Sequence, residues 1–290
     1  MKRRSTDVGL VLTRRQLWAW TLGTGIDSLK GTGVVQFVLS KAEVRRLREL
    51  ATGDGPNGFV TEQDAITSYF LNLCRLQGVK VAKVSNTVSV CSSFPFPSLA
   101  FIPSQMANLP HPADCCELAQ FRTFHRGHPA FPDTLPRLVA NVAHLFTHPP
   151  FPASACTTSA PTSLRPFATH IRRTLVRLRT DPAACLDWLA VGALRYREAA
   201  DAGLCQQPIP YGADGELVVN SNWGYKWHLP FGFSAADVAF HTTPPIARFL
   251  RVFEARDGGA ELSWLLEEGI AARVLEEVAR DRREGWTRWE

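Results

Sequence analysis

The sequence has no apolar run near the roughly 20 residues that a membrane span needs, and Leu10 to Leu22, the nearest approach at the N-terminus, is interrupted by Arg14, Arg15 and Gln16. It has no Cys-x-x-Cys and no Cys/His pair at ligand spacing. Its seven Cys are scattered, only Cys115 and Cys116 being neighbours, so they read as reduced thiols in a cytosolic protein rather than a disulfide frame or a metal site. His111, His125, His128, His144 and His148 likewise fit no zinc pattern. There is no Gly-rich phosphate loop and no Gly-x-Ser-x-Gly elbow, which removes the common nucleotide and hydrolase readings. No internal repeat is visible. Nor does either sign of charge dominate: 32 basic residues against 27 acidic ones leave +5, without a long cationic run. That excess is weak support for nucleic acid and suits an anionic small-molecule partner equally well.

What is present is enough apolar material, 45% of 290 residues, to bury one large domain or two small ones. Val34 to Leu39 is β-branched and aromatic and predicts a strand. Ser40-Lys-Ala-Glu43 is a capping box, opening a helix whose face carries Val44, Leu47, Leu50 and Ala51. Thr61-Glu-Gln-Asp64 opens a second, with Ile66, Tyr69, Phe70, Leu73 and Leu76. Strands are predicted around Val79 to Val90, at Leu138 to Phe146, Leu217 to Asn220 and Glu261 to Leu266, and as a pair at Val238 to His241 and Arg248 to Phe253. Two helices fall between, one through Phe167, Ile171, Leu175 and Leu178 and one beyond Pro182, and Ile270, Val274, Leu275 and Val278 mark a C-terminal helix. Gln105 to Pro136 and Pro149 to Pro166 read as long loops. Strands and helices interleave, so the expected class is α/β or α+β, a mixed sheet flanked by helices.

The most distinctive stretch is Asn220 to Phe233. Trp223, Tyr225, Trp227, Phe231 and Phe233 stand among Gly224, Gly232 and Pro230, too aromatic for a solvated loop and too broken for a helix. Its Asn-Ser-Asn-Trp start and Phe-Gly-Phe end resemble the C-terminal signature of the BAHD acyltransferases, usually Asp-Phe-Gly-Trp-Gly. Other segments resemble that family in the same order. They are Val34 to Ala51, Phe59-Val-Thr-Glu-Gln-Asp64-Ala-Ile, Arg126-Gly-His-Pro-Ala-Phe, Pro136-Arg-Leu-Val-Ala-Asn141-Val, Phe240-His-Thr, Arg248-Phe-Leu-Arg-Val-Phe253, and Gly259 to Asp281. The similarity is greatest to the fungal, trichothecene acetyltransferase-like branch.

The resemblance implies the second domain of a chloramphenicol acetyltransferase-like fold over residues 34–290, with 1–33 a linker or irregular segment and 231–253 strands that cross to a first domain. It implies acyl transfer from acyl-coenzyme A to a hydroxyl or amine acceptor in secondary metabolism, with no metal. Asn220, Ser221 and Asn222 would contact the cofactor, while Phe231, Gly232, Phe233 and Asn141 would be structural. The family's general base is a His in His-x-x-x-Asp, which must stand within hydrogen-bond reach of the attacking group. No such motif occurs here: His111 and Asp114 are one residue too close, and His128 and Asp133 one too far apart. The chain thus reads as a second domain without its first. The alternative is a non-catalytic binding module whose orphan strands pair with another polypeptide.

Several of these residues also have plainer readings. Asn220, Ser221 and Asn222 suit a strand end and turn, and Phe231 to Phe233 suit an aromatic turn in a core. His228 and His241 could replace the missing base, though lone His residues beside aromatic sequence are commonly packed or surface groups. Arg165, Arg172, Arg173, Arg177 and Arg179 make a basic helical face that could meet coenzyme A phosphates or be a solvated face. Nothing aromatic is interleaved there to stack bases, so no nucleic-acid partner is expected.

Overall fold

The computed structural model describes residues 10–13, 31–52, 59–88, 144–157, 162–207, 215–223 and 249–289, with isolated positions between 15 and 22. Six strands form one sheet: β2 (Thr32–Leu39), β3 (Lys83–Val88), β4 (His144–Thr147), β6 (Glu216–Asn222), β7 (Phe249–Glu254) and β8 (Ala260–Glu267). Their order is β2-β8-β7-β6-β3-β4. The pairs β3/β6 and β6/β7 are parallel and the rest antiparallel, so the sheet is mixed, as the interleaved sequence predicts. A separate two-stranded ribbon joins β1 (Leu10–Leu12) to β5 (Cys205–Gln207). Part of the 1–33 segment is therefore built into sheet structure.

One face of the six-stranded sheet carries the helices. Helix α1 (Lys41–Thr52) starts at the expected capping box, with Ser40 Oγ accepting from Glu43 N at 3.2 Å and Glu43 Oε2 accepting from Ser40 N at 2.7 Å. Helix α2 (Glu62–Leu76) starts at a second, Thr61 with Asp64, and is buried at every position from Asp64 to Arg75. Such all-round burial follows from its place between the sheet and α4 (Arg165–Thr180). The four-residue α3 (Ala153–Cys156) interrupts the loop expected there, and α5 (Pro182–Asp201) follows α4 and packs on the β1/β5 ribbon. Helix α6 (Glu268–Arg283) packs along β2. No helix among the described residues is long and apolar enough to cross a membrane.

Trp264 on β8 centres the core, meeting Phe70 of α2 edge-on at 5.0 Å and Phe37 of β2 at 5.7 Å. Between β7 and β8 the turn needs glycine. Gly258 has φ +79°, and a Cβ on Gly259 would lie 2.0 Å from the carbonyl oxygen of Leu39.

The strand expectations need one revision. Residues 231–253 were expected to leave this domain, yet Phe249–Phe253 forms most of β7, hydrogen-bonded to β6 on one side and β8 on the other. With both edges paired within its own sheet, this part of the stretch is no orphan. Residues 231–248 lie outside the described residues.

Beyond α6 the chain reverses through Gly285 and Trp286, both at positive φ, and a short 3-10 turn (Thr287–Trp289) returns onto α2. There Asp281, with no exposed surface, accepts from Tyr69 Oη at 2.8 Å and from Arg288 Nη2 at 2.7 Å. Arg288 also pairs with Glu277 and lies 4.7 Å over the Trp289 ring. Tyr69 meets Trp286 and Trp289 edge-on at 5.3 and 5.5 Å. Removing one partner of a buried ion pair leaves the other uncompensated. Asp281→Asn should therefore lower stability by about 3 kcal/mol in a denaturant titration, and a loss below about 0.5 kcal/mol would show that the clamp contributes little.

Just past β4, His148 is buried against Phe146 (ring centroids 4.9 Å apart) with Nδ1 2.5 Å from Thr174 Oγ1. Burial, aided by the nearby His170, pushes its pKa down to about 3. The unfolded imidazole, near 6.5, then binds a proton that the folded one refuses, so this group's contribution to stability falls as pH drops from about 6.5 toward 3. Wild type should lose stability relative to His148→Gln between pH 7 and 4. A difference that stays constant over that range would contradict the buried neutral ring.

Candidate binding face

A strand sends successive side chains to opposite faces, so the register fixes which residues share the side of the sheet that is helix-free among the described residues. Asn220 pairs with Arg251, Arg251 with Ser263, and Ser263 with Gln36. These four make a polar row across β6, β7, β8 and β2, set in a face that also presents Val218, Asn222, Phe249, Phe253, Glu261 and Leu265. It runs from half-buried Asn220 through buried Arg251 and Ser263 to exposed Gln36. At that last edge Val34 and Val38 are also open, 49% and 46% exposed.

The same face holds a second buried charge, near the N-terminal ends of the parallel strands. Glu216 is buried, accepts from Ser85 Oγ, and has Lys83 Nζ 3.4 Å from its carboxylate. That carboxylate has a cation supplied from the adjacent strand. Arg251 is treated differently. It is 6% exposed and its Nη2 donates to Ser263 Oγ at 3.1 Å, while Nε and Nη1 have no hydrogen-bond partner. Burial pushes its pKa below the ordinary guanidinium range, and the charge of Glu261 pulls the other way. Glu261 stands one row over, where its Oε1 accepts from Gln36 Nε2 at 2.7 Å.

The pleat also divides the trio that the resemblance groups together. Asn220 and Asn222 lie half-buried on the helix-free face. Ser221 turns to the helices, where its Oγ donates to Gln63 Oε1 at 2.6 Å and Gln63 Nε2 donates to Thr67 Oγ1 at 3.1 Å. Ser221 thereby fixes the first turn of α2 against β6. Trp223 follows, its indole N–H donating to the carbonyl of Gly259 at 2.9 Å. These contacts cluster at the carboxyl ends of the parallel strands, where open α/β sheets characteristically bind ligands.

Phe231, Gly232, Phe233 and Asn141 lie outside the described residues, as do His228, His241, His111, His125 and His128. Of the described histidine side chains, His148 faces Thr174 and His170 faces the carbonyl of Pro149, and neither stands on the helix-free face. The basic face of α4 is partly structural. Arg172 Nε donates to Asp64 Oδ2 at 2.6 Å and its Nη2 to Thr61 Oγ1 at 2.5 Å, tying α4 to the cap of α2, while Arg177 makes an exposed pair with Asp181. The cysteines with described side chains, Cys74 and Cys156, form no disulfide. Sequence reasoning did not single out Arg251, although a lone charge within Phe-Leu-Arg-Val-Phe, an otherwise apolar strand, was the available signal.

No known family profile matches this chain, and no curated protein matches it in sequence. Similarity to known proteins comes from structure. The chain superposes on TRI101 of F. sporotrichioides, crystallised with coenzyme A and T-2, with a TM-score of 0.53 and 14% identity, covering 86% of this chain and 51% of that one. It superposes on TRI101 of F. graminearum with coenzyme A and T-2 mycotoxin at 0.51 and 14%, covering 89% and 49%. The F. graminearum protein with ethyl coenzyme A gives the same TM-score, identity and coverage. The chain thus spans about half the length of the solved structures it matches, and its fold is BAHD-like, with the mixed sheet and helices of the chloramphenicol acetyltransferase-like architecture.

Proposed function

We propose that this chain is the second domain, residues 34–290, of a BAHD-type acyltransferase of the fungal, trichothecene acetyltransferase-like branch. The reaction is transfer of an acyl group from its coenzyme A thioester to a hydroxyl or amine of a secondary metabolite, in the cytosol. The acceptor oxygen or nitrogen attacks the thioester carbonyl, the carbon–sulfur bond breaks, and the proton lost by the acceptor ends on the coenzyme A thiol. The observation that carries this reading is superposition of most of this chain on half of a coenzyme A-bound enzyme, together with the ordered motifs of the sequence.

In this reading the face that is helix-free among the described residues is the wall that the domain contributes to the substrate site. Its donor set suits a polar, phosphorylated co-substrate: neutral amides at Asn220 and Asn222 beside one buried cation. The general base comes from a first-domain polypeptide, since His-x-x-x-Asp is absent from this sequence. That absence also favours a second reading, a non-catalytic module that binds a partner through the exposed β2 margin of the sheet around Val34 and Val38. A chain that sediments as a monomer, and stays one with candidate partners, would argue against that module.

The decisive assay follows thiol release from acetyl-coenzyme A with alcohol and amine acceptors. The chain alone should give no turnover, and the chain joined to a BAHD first domain carrying His-x-x-x-Asp should give acceptor-dependent release. Absence of both coenzyme A binding and turnover in the joined protein would sink the proposal. Asn220→Ala and Asn222→Ala should each weaken coenzyme A binding by about 1 kcal/mol, roughly fivefold, with the thermal midpoint nearly unchanged. Ser221→Ala should do the reverse, lowering the midpoint and sparing affinity. Equal effects of the three would contradict the separation by the pleat.

A further inference from the structure

In an antiparallel ladder each residue either exchanges both backbone bonds with its neighbour or points both groups away from it. Glu268 N donates to Gly31 O at 2.7 Å, which fixes the phase of the β2/β8 ladder. Val35, Phe37 and Leu39 share that phase and bond to β8, whereas Val34, Gln36 and Val38 aim N–H and C=O out of the sheet. Their side chains stand in the open as well: Val34 and Val38 are each nearly half exposed, with exposed Gln36 between them. Charge and proline, which ordinarily blunt such an edge, do not occur in β2. Among the described residues the one group that meets this row of backbone atoms is Arg282, whose Nη2 donates to the Val38 carbonyl.

Helix α6 runs along the same edge in the same direction. A Cβ on Gly33 would meet that of Ala271, near the start of α6, at 2.8 Å, and Arg282, near its end, reaches Val38. One flank of α6 turns inward, where Arg273 donates to Gln77 at 2.8 Å and Glu277 pairs with Arg288. The other flank presents Glu268, Ala272, Leu275, Ala279 and Arg282, all exposed and recurring three and four residues apart. The bond from Arg282 to an outward carbonyl places this flank on the open side of β2. Its acid and its base stand seven residues either side of Leu275. The stripe is therefore complementary to itself reversed: Glu268 meets Arg282, Ala272 meets Ala279, and Leu275 meets its own copy. Glu268 makes no ion pair among the described residues, and Arg282, with Nε on Glu43 at 2.8 Å, has Nη1 spare.

We propose that the outer edge of β2 and the outward flank of α6 form one surface that docks a second copy of this chain, as a two-fold dimer with the sheet continued across both. A two-fold axis normal to the sheet keeps each face on its own side. Antiparallel pairing about Gln36 then sets Val34 beside Val38 of the second copy and lays the two α6 helices antiparallel above the junction. Strands pair about 4.8 Å apart and helices pack about 8–10 Å apart, so helices seated over their own edge strands touch when the edges join. Charge selects this orientation, since a parallel one would oppose Glu268 to Glu268 and Arg282 to Arg282. The dimer goes beyond the acyltransferase reading and does not depend on it.

The test is sedimentation velocity of the full chain over a wide range of concentration, with thermal melts of each variant. Wild type should pass from monomer to dimer as concentration rises. Gln36→Pro removes an outward N–H at an edge position that tolerates proline, and should raise the dissociation constant at least about tenfold while the variant stays folded. Leu275→Lys puts like charges on the axis and should do the same from the helix side. Glu268→Arg and Arg282→Glu should each be monomeric alone and associate when mixed, because the antiparallel contact then pairs opposite charges at both ends. Wild type that is monomeric at every concentration would overturn the proposal. So would a dimer indifferent to both Gln36→Pro and Leu275→Lys, which would put the contact elsewhere, or folded charge variants that stay apart on mixing. A monomeric wild type that captures a BAHD first-domain polypeptide through Gln36 would assign the edge to that domain and likewise exclude the dimer.

Discussion

The constraint on which this structure depends is that, among the described residues, its sheet carries its core helices on one face. Because side chains alternate along a strand, residues of one parity face the helices and the others do not. Leu217, Val219, Leu250, Val252, Leu262, Trp264 and Phe37 lie on the first parity and build one continuous core with α2. The second parity meets no described helix, and it carries Asn220, Arg251, Ser263 and Gln36. Core and opposite face are thus two readings of the same strands, and a one-residue slip in register would exchange them.

Helix α2 converts that arrangement into a rigid unit. Its cap is closed by Asp64 and held from outside by Arg172 of α4, its middle presses Phe70 on Trp264, and its Tyr69 engages the clamp formed by Asp281 and Arg288. Gln63 in its first turn holds Ser221. Strand β6, which carries Asn220 and Asn222 on the opposite face, is therefore positioned from behind by the helix. The placement of these amides and the packing of the core are coupled through Ser221.

Much of this was legible in the sequence, and the exceptions have physical causes. Both capping boxes announced α1 and α2, because the side chains that satisfy a helix start are local in sequence. The strands β2, β6 and β8 were visible as β-branched and aromatic runs, and the class followed from their alternation with helices. The pairing of β7 was not legible: Phe249–Glu254 reads as a strand from any neighbourhood, and only long-range register places it between β6 and β8. The site shows the same limit. Asn220, Ser221 and Asn222 are consecutive and so look like one group, whereas the pleat assigns Ser221 to the helices. Arg251 gains its meaning from Ser263 and Asn220 on other strands, 12 and 31 positions away in the numbering.

The clamp at the C-terminal end of α6 also bears on how the molecule is made. Tyr69 is bonded to a residue 212 positions later in the chain, and among the described residues the outer strand β2 pairs with β8, far later in the sequence. During translation α1 and α2 emerge early with their apolar faces formed and nothing to cover them, while the residues that close the core are still being added. Contacts so distant in sequence are slow to form, and apolar surface exposed in the interval invites association. The core therefore cannot close until residue 289 has emerged, and what shields α2 in that interval governs how much of the domain folds.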